Sequence, residues 1–307
     1  MPVEEALAAA RRWVPGGGGI EIERLHSGLV NESFRVTRGG RSYSLRLPAE
    51  NAVGLGLDHE WECRVLERAG GAGIAPRLEH RDPLLGTLVM HWVQGTSWTR
   101  DVAFQPANID GLAALARRVH ALNVPAPLRR LSPADWIARY SEALAGASAG
   151  AKLRAGAAWT QDRLAGLGRT SVRHLAAFGA LPEAPPTLCH SDLHLGNLVE
   201  AGGGLVLLDW EYAHVSDPFW DLAGWACNTD METSCRTLLL SSYLGRTPDP
   251  AESRRLCILA WLYDYVCVLW SLVYLAERGG GESARNVACR AERVAARLER
   301  DAGGPAG

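Results

Sequence analysis

The stretch His190-Ser191-Asp192-Leu193-His194-Leu195-Gly196-Asn197 constrains this chain more than any other part of it. It follows a short apolar run, Thr187-Leu188-Cys189, and is answered by a second one, Leu205-Val206-Leu207-Leu208, that ends in Asp209. A carboxylate and a carboxamide therefore share one loop, and a second carboxylate closes a buried strand that follows it. Phosphoryl transfer from a nucleotide uses this set of parts. One Asp orients or deprotonates the attacking hydroxyl, while an Asn and another Asp hold Mg²⁺ against the phosphates. Other chemistries can be drawn from the same residues. Cys189, His190, Asp192 and His194 offer thiolate, imidazole and carboxylate ligands to a transition metal, but that reading gives Asn197 and Asp209 no part. A purely structural polar turn explains less still. Ser191 lacks the glycine-flanked elbow that exposes a nucleophilic serine. His190 suits bracing of the loop backbone, and His194 suits either packing or substrate contact.

Composition narrows the partners. The 307 residues are 47% apolar and 21% charged, as in globular proteins, and give room for one large domain or two modest ones. A net charge of -2 provides no electrostatic reason to expect nucleic acid or an anionic membrane as partner. Seven cysteines, scattered and without a Cys-x-x-Cys pair, point to reduced thiols in a cytoplasm rather than to disulfides or structural zinc. The opening Met-Pro-Val-Glu-Glu is acidic and its apolar run is short, unlike a secretory signal. Residues 256 to 275 are apolar apart from Asp264 and Ser271, and that length would permit a membrane span. A mid-span Asp costs about 2.5–3.5 kcal/mol on insertion scales, and Trp261, Tyr263, Tyr265 and Trp270 lie mid-segment rather than at its ends. A buried C-terminal helix is the expectation, with no membrane partner.

In chain order, residues 20 to 47 read as strands: Tyr43, Leu45 and Leu47 share one face while Ser44 and Arg46 share the other. Gly39-Gly40 signals a hairpin, and Pro48 ends the last strand. From Asp58 to Ala69 the period becomes helical, with Trp61, Val65 and Leu66 on one side and Gly70-Gly71 closing the helix. Strands follow at 77–80 and 87–93. Ile109, Leu112, Leu115, Val119 and Leu122 then recur at helical spacing behind a candidate cap, Asn108. Residues 141 to 180, rich in Ala, Gly and Arg, read as helices without clear boundaries. A β-rich front over 1–92 and an α-rich back over 93–307 give an α+β, two-lobed expectation.

Order along the chain singles out further residues. The segment from Ser27 and Gly28 through Asn31 to Ser33 lies between two strands, where a loop can fold over phosphates. Arg46 follows on a strand, then a helix with Glu60 and Glu62, then the apolar strand leading to the back half. These are protein-kinase-like parts: a cation on phosphate, a helix carboxylate that holds the cation, and a connecting strand whose backbone meets adenine. The chain resembles the aminoglycoside phosphotransferase/choline kinase superfamily, most closely its bacterial thiamine kinase and choline kinase members. The residues that carry the likeness are the 190–197 loop, residues 28–34 and 43–48, Asp209-Trp210-Glu211-Tyr212-Ala213, and the run from Asp217 to Ala223. The resemblance implies a protein-kinase-like fold, with ATP and Mg²⁺ as cofactors. It implies Asp192 as catalytic base, Asn197 and Asp209 as Mg²⁺ ligands, and Met90, His91 and Val93 in the hinge beside adenine. It also implies that Asp221 ties down the catalytic-loop backbone. Most aminoglycoside phosphotransferases have Lys where this chain has Arg46, and the sequence holds a single lysine, Lys152. Arg also grips phosphate, by a two-pronged fork. Counting back from Ala75-Pro76 favours Glu62 as its partner, with Glu60 the other choice.

For the acceptor, ten of the 22 aromatic residues fall in two stretches, 210–225 and 261–274. Most such residues pack in cores, but an aromatic box with a carboxylate also holds permanent cations. Tyr212 and Trp270, with Glu211 or Asp264 as the carboxylate, make the expected subsite. The expected substrate is a small cationic alcohol, with thiamine and choline level; an aminoglycoside phosphotransferase and a non-catalytic kinase-shaped binding protein are the other readings.

Overall fold

Two glycines set the register of the N-terminal sheet. Gly39 and Gly40 have φ of 58° and 74°, left-handed values that only glycine adopts freely and that a two-residue hairpin turn with the right twist requires. They join β2 (Glu32–Arg38) to β3 (Arg41–Leu47), so that Arg38 pairs with Arg41 and Ser33 with Arg46. The computed structural model describes residues 3–25, 29–48, 55–82, 84–146, 159–278 and 281–301. Its contacts divide the chain into two units built from separate segments: residues 1–99, 122–128 and 195–213 in the first, and 100–121, 129–194 and 214–307 in the second. The whole is α+β, with a sheet-rich N-terminal region and a helical C-terminal part.

In the first unit, β1 (Ile20–Leu25), β2, β3, β5 (Thr87–His91) and β4 (Leu78–Asp82) form an antiparallel sheet in the order β1-β2-β3-β5-β4. Alternation along β2 and β3 buries Phe34, Val36, Tyr43, Leu45 and Leu47 in one cluster with Val89 and with Ala6, Ala10 and Val14. The alanines belong to α1 (Val3–Trp13), a helix the apolar pattern does not announce because its buried positions are small. Arg46 is also buried, on the other face of β3. Helix α2 (His59–Gly71) starts at Asp58, whose side chain accepts from the Trp61 N–H at 2.9 Å. It ends at Gly71, as the Gly70-Gly71 pair suggests, with Ala72 as its cap. The carbonyl of Pro76 would lie 3.0 Å from a Cβ at Gly70, so a bare backbone is needed for close approach. A further ladder joins β6 (Thr96–Ser97), β8 (Leu198–Ala201) and β9 (Gly204–Leu207), with Leu198 opposite Leu207.

The second unit is mainly helical: α3 (Arg100–Ala103), α4 (Pro106–His120), α5 (Pro133–Gly146), α6 (Gln161–Gly179), α7 (Phe219–Asn228), α8 (Thr233–Leu244), α9 (Pro250–Arg278) and α10 (Gly281–Arg300). Helix α4 begins two residues before the expected cap, with Pro106 at its first position, where the missing N–H costs nothing. Asn108 instead donates to the Val102 carbonyl at 2.7 Å. Part of the 141–180 stretch lies outside the described residues. Helix α9 is long and apolar enough to cross a membrane, and 83% of that apolar window is buried inside the protein. It packs against α5, α6, α7 and α10. A short antiparallel pair, β7 (Thr187–Cys189) with β10 (His214–Ser216), sets His214 opposite Cys189 at the entrance to the 190–197 loop.

Candidate active site

The first unit gathers carboxylates around one guanidinium. Arg46 Nη2 donates to Glu62 Oε2 at 2.5 Å and Nη1 donates to Asp209 Oδ1 at 3.0 Å. Glu211 Oε2 lies 3.8 Å from Nη1 and accepts from Asn31 Nδ2 at 2.5 Å. Glu62 is therefore the helix carboxylate that pairs with Arg46; Glu60 points to solvent, 3.8 Å from Arg81. Burial pushes the Glu62 carboxyl up, but the Arg46 charge together with hydrogen bonds from His59 and Arg46 outweighs it and leaves the group below its ordinary value. Arg46 is raised in turn: burial opposes its charge and Glu62 more than restores it. Burial and then the Asp209 charge push Glu211 well above the usual carboxylate range.

The β8–β9 ladder places Asn197 and Asp209. Asn197 stands just before β8 and Asp209 just after the partner strand, with the Leu208 N–H donating to the Asn197 carbonyl at 2.8 Å. The two residues thus flank the same end of one antiparallel pair. Asp209 has φ of 56°, a value unfavourable for a non-glycine residue, held where Trp210 Nε1 donates back to the Leu207 carbonyl at 3.0 Å. The Asp209 side chain is 39% accessible, against 6% for Arg46. The donor set suits a hard cation: three carboxylates to one guanidinium, with Glu62 Oε1 and Asn31 Oδ1 buried and without hydrogen-bond partners among the described residues. Oxygen-rich, negatively charged sites of this kind match Mg²⁺.

Ser27 and Gly28 lie outside the described residues. Ser33 sits directly across the ladder from Arg46. Met90 and His91 pair with Ser44 and Tyr43, and the His91 and Trp92 N–H groups are committed to the Arg77 and Ser42 carbonyls. Val93 follows the strand, half-buried.

In the second unit the 190–192 loop is held by its backbone. Asp221 on α7 accepts from the His190 N–H at 2.9 Å and the Ser191 N–H at 2.7 Å. His120, at the end of α4, places Nε2 3.1 Å from Asp221 Oδ2 and Nδ1 2.8 Å from the Tyr243 hydroxyl. Burial pushes Asp221 up, yet the His120 contact and the loop N–H groups leave it below its ordinary value. Ser191 has φ of 71°, and its Oγ lies 2.9 Å from Nδ1 of the fully buried His214. His214 Nε2 faces the Trp136 indole N–H at 3.3 Å, which leaves Nδ1 to donate to Ser191. His120 and His214 carry no signal in the sequence, since only tertiary packing brings them to the loop. Asp192 keeps 30% of its side chain accessible, with His194 Nε2 3.6 Å away. Burial raises the Asp192 carboxyl, but His194 and the positive groups near it prevail, so it lies below the usual carboxylate value.

The donor atoms of His120, Cys189 and Asp221 lie within 4.8 Å of one another. Asp221 is already occupied by two backbone N–H groups, and burial pushes the Cys189 thiol well up, so this cluster is loop support rather than a thiolate site. The four residues expected around the acceptor are divided between the units: Glu211 and Tyr212 in the first, Asp264 and Trp270 in the second. Asp264 is buried, with both oxygens bonded by Arg297 at 2.7 and 2.6 Å. Trp270 stacks on Tyr274 at 5.4 Å between centroids.

A family model described as "Phosphotransferase enzyme family" matches residues 21–256. The chain belongs to that family. Among solved structures, the phosphotransferase is similar in fold to a choline/ethanolamine kinase family protein from Mesorhizobium loti, with a TM-score of 0.76 and 24% identity over 97% of this chain and 94% of the other. LicA in complex with AMP gives a TM-score of 0.72 at 17% identity, covering 96% and 98%. Among curated relatives, the thiamine kinase of Escherichia coli (strain SMS-3-5 / SECEC) is 52% identical over 42 residues. That stretch is 13% of this chain and 15% of the relative.

Proposed function

We propose that this phosphotransferase is an ATP- and Mg²⁺-dependent kinase that phosphorylates the hydroxyl of a small cationic alcohol such as thiamine or choline. The observation that carries the reading is the loop around Asp192. Its backbone is fixed at His190 and Ser191 by a buried carboxylate, and Asp192 itself is partly accessible and held ionised, as a base for a hydroxyl proton must be. Arg46 offers a fixed charge for nucleotide phosphate, and Glu62 holds the guanidinium in place. Asn197 and Asp209 would hold Mg²⁺, which when bound supplies neutralisation of phosphate charge. Asn31 and Ser33, with Ser27 and Gly28 before them, would form the loop over the phosphates. Met90, His91 and Val93 would line adenine.

The thiamine kinase likeness supports a cationic acceptor, as does the aromatic content of 210–225 and 261–274. Tyr212 and Trp270 remain its proposed aromatic contacts. Because Glu211 and Asp264 are engaged by Asn31, Arg46 and Arg297, aromatic faces rather than a free carboxylate would hold the cation. All seven cysteines are free thiols, which supports a cytoplasmic setting.

The test is ADP release with thiamine, choline, ethanolamine and kanamycin in parallel, on wild type and Asp192→Asn. Release with one of the first two, reduced about 100-fold or more in the variant, is expected. Turnover of kanamycin alone would make the protein an antibiotic phosphotransferase. Wild-type turnover by Asp192→Asn would remove Asp192 as the base.

A further inference from the structure

Asp192 is flanked by two carbonyls, and both are held by side chains from outside its loop. The Asn228 amide, at the end of α7, donates to the Leu193 carbonyl at 2.9 Å. The Tyr263 hydroxyl, on α9, donates to the Ser191 carbonyl at 3.4 Å. The two holders are themselves joined, with Asn228 Nδ2 3.0 Å from the Tyr263 hydroxyl. Both amide protons of Asn228 are thereby used, and its remaining oxygen accepts from Arg290 Nη2 at 2.7 Å. Hydrogen bonds run in one direction, from Arg290 through Asn228 to Leu193, and through Tyr263 to Ser191. An amide flipped end over end would set oxygen against the Leu193 carbonyl and N–H against the Arg290 N–H, so Arg290 fixes which way Asn228 faces.

Arg290 comes from α10, which is docked independently by Arg297. That guanidinium bonds both oxygens of Asp264 and reaches Asp230 at 2.5 Å. Helix α10 lies beyond residues 21–256, where the family likeness is found. Burial raises the Asp192 carboxyl, and the charge of Arg290 is among those that draw it down, after His194 and His190.

We propose that Asn228 and Arg290 are positioning residues for Asp192, acting through the carbonyls on either side of it, and that helix α10 thereby belongs to the catalytic apparatus. This rests on Asp192 being the base, as argued above. A displaced base loses rate while nucleotide binding is unaffected, and misplacement by an ångström costs on the order of 100-fold.

The experiment uses the full chain, with whichever panel alcohol turns over, or basal ADP release if none does. Asn228→Ala is expected to lower kcat on the order of 10- to 100-fold with the KM for Mg·ATP within about twofold. Arg290→Ala is expected to lower kcat less and to move the acid limb of the kcat/KM profile to higher pH; Arg290→Lys, which keeps the charge, returns the limb toward wild type. In the Asn228→Ala background, adding Arg290→Ala should cost no further kcat, because the two act in series. If Asn228→Ala does not fold, Tyr263→Phe replaces it and should also lower kcat. Wild-type kcat and pH profile in these variants, with Asp192→Asn inactive, would overturn the proposal while leaving the base assignment standing. An active Asp192→Asn would instead overturn the base assignment itself.

Discussion

Arg46 shows why residue identity matters at a charged site. Its two Nη groups face different carboxylates, Glu62 and Asp209, and a lysine ammonium, a single point of charge, could not span both in the same way. Asp221 works on the same principle in reverse, one carboxylate holding two N–H groups and an imidazole. Asp221→Asn should cost about 1.5–3 kcal/mol at neutral pH, the range for hydrogen bonds to a charged group. Because the folded-state pKa is depressed, the charge contributes fully above the unfolded value of about 3.9. That contribution is lost as pH falls through the folded value. Urea unfolding of both proteins from neutral to acid pH should show their gap closing on acidification. A gap that stays constant would mean that the charge of Asp221 contributes nothing. The Arg46–Glu62 pairing was legible, because the strand position of Arg46 and the helix position of Glu62 can be read along the chain, with Glu62 favoured over Glu60. His120 and His214 were not, since they reach Asp221 and Ser191 respectively from distant elements, through hydrogen bonds that no periodicity encodes.

At the scale of elements, legibility followed length and side-chain size. The long apolar helix α9 and the alternating strands β2 and β3 were visible as patterns. The three-residue strands β7 and β10 are too short to show a period, and α1 buries only alanines on its inner face. The contact of α7 with α9 depends on one missing side chain. A Cβ at Gly224 would lie 2.8 Å from Cε2 and 3.0 Å from Cζ of Tyr263, a ring that is only 4% exposed and whose hydroxyl reaches the Ser191 carbonyl. Gly224→Ala must therefore push the ring or part the helices, at a cost of about 1–3 kcal/mol for overpacking. The hydroxyl would move with the ring, so kcat should fall while the KM for Mg·ATP stays near wild type. Calorimetry and steady-state kinetics check the two parts. Unchanged stability would show that the helices accommodate the methyl group, and equal losses in kcat and nucleotide affinity would point to a general collapse.

At the scale of the whole molecule, neither unit is a continuous piece of chain. The first borrows residues 122–128 and 195–213 from the middle of the sequence, so a cut at 92/93, where the pattern changes from strand to helix, would separate Arg46 from Asp209. The strand that ends near Asp209 is bonded back into the N-terminal segment, the Leu207 N–H donating to the Ile74 carbonyl at 2.8 Å. Chain that passes repeatedly from one unit to the other favours a single cooperative transition. On the proposed function Mg·ATP binds folded protein alone, and it should then raise its midpoint. At a hundred times Kd the gain is about 2.7 kcal/mol, and at about 2–4 °C per kcal/mol for large domains the shift is readily measured. Asp209→Ala should abolish the Mg²⁺-dependent part of that shift, because Asp209 is the accessible carboxylate of the cluster, whereas Asp192→Asn should preserve it. Two separate transitions, of which only one responds to nucleotide, would show that the units melt independently despite their interleaved segments. An undiminished Mg·ATP shift in Asp209→Ala would show that the metal is held elsewhere.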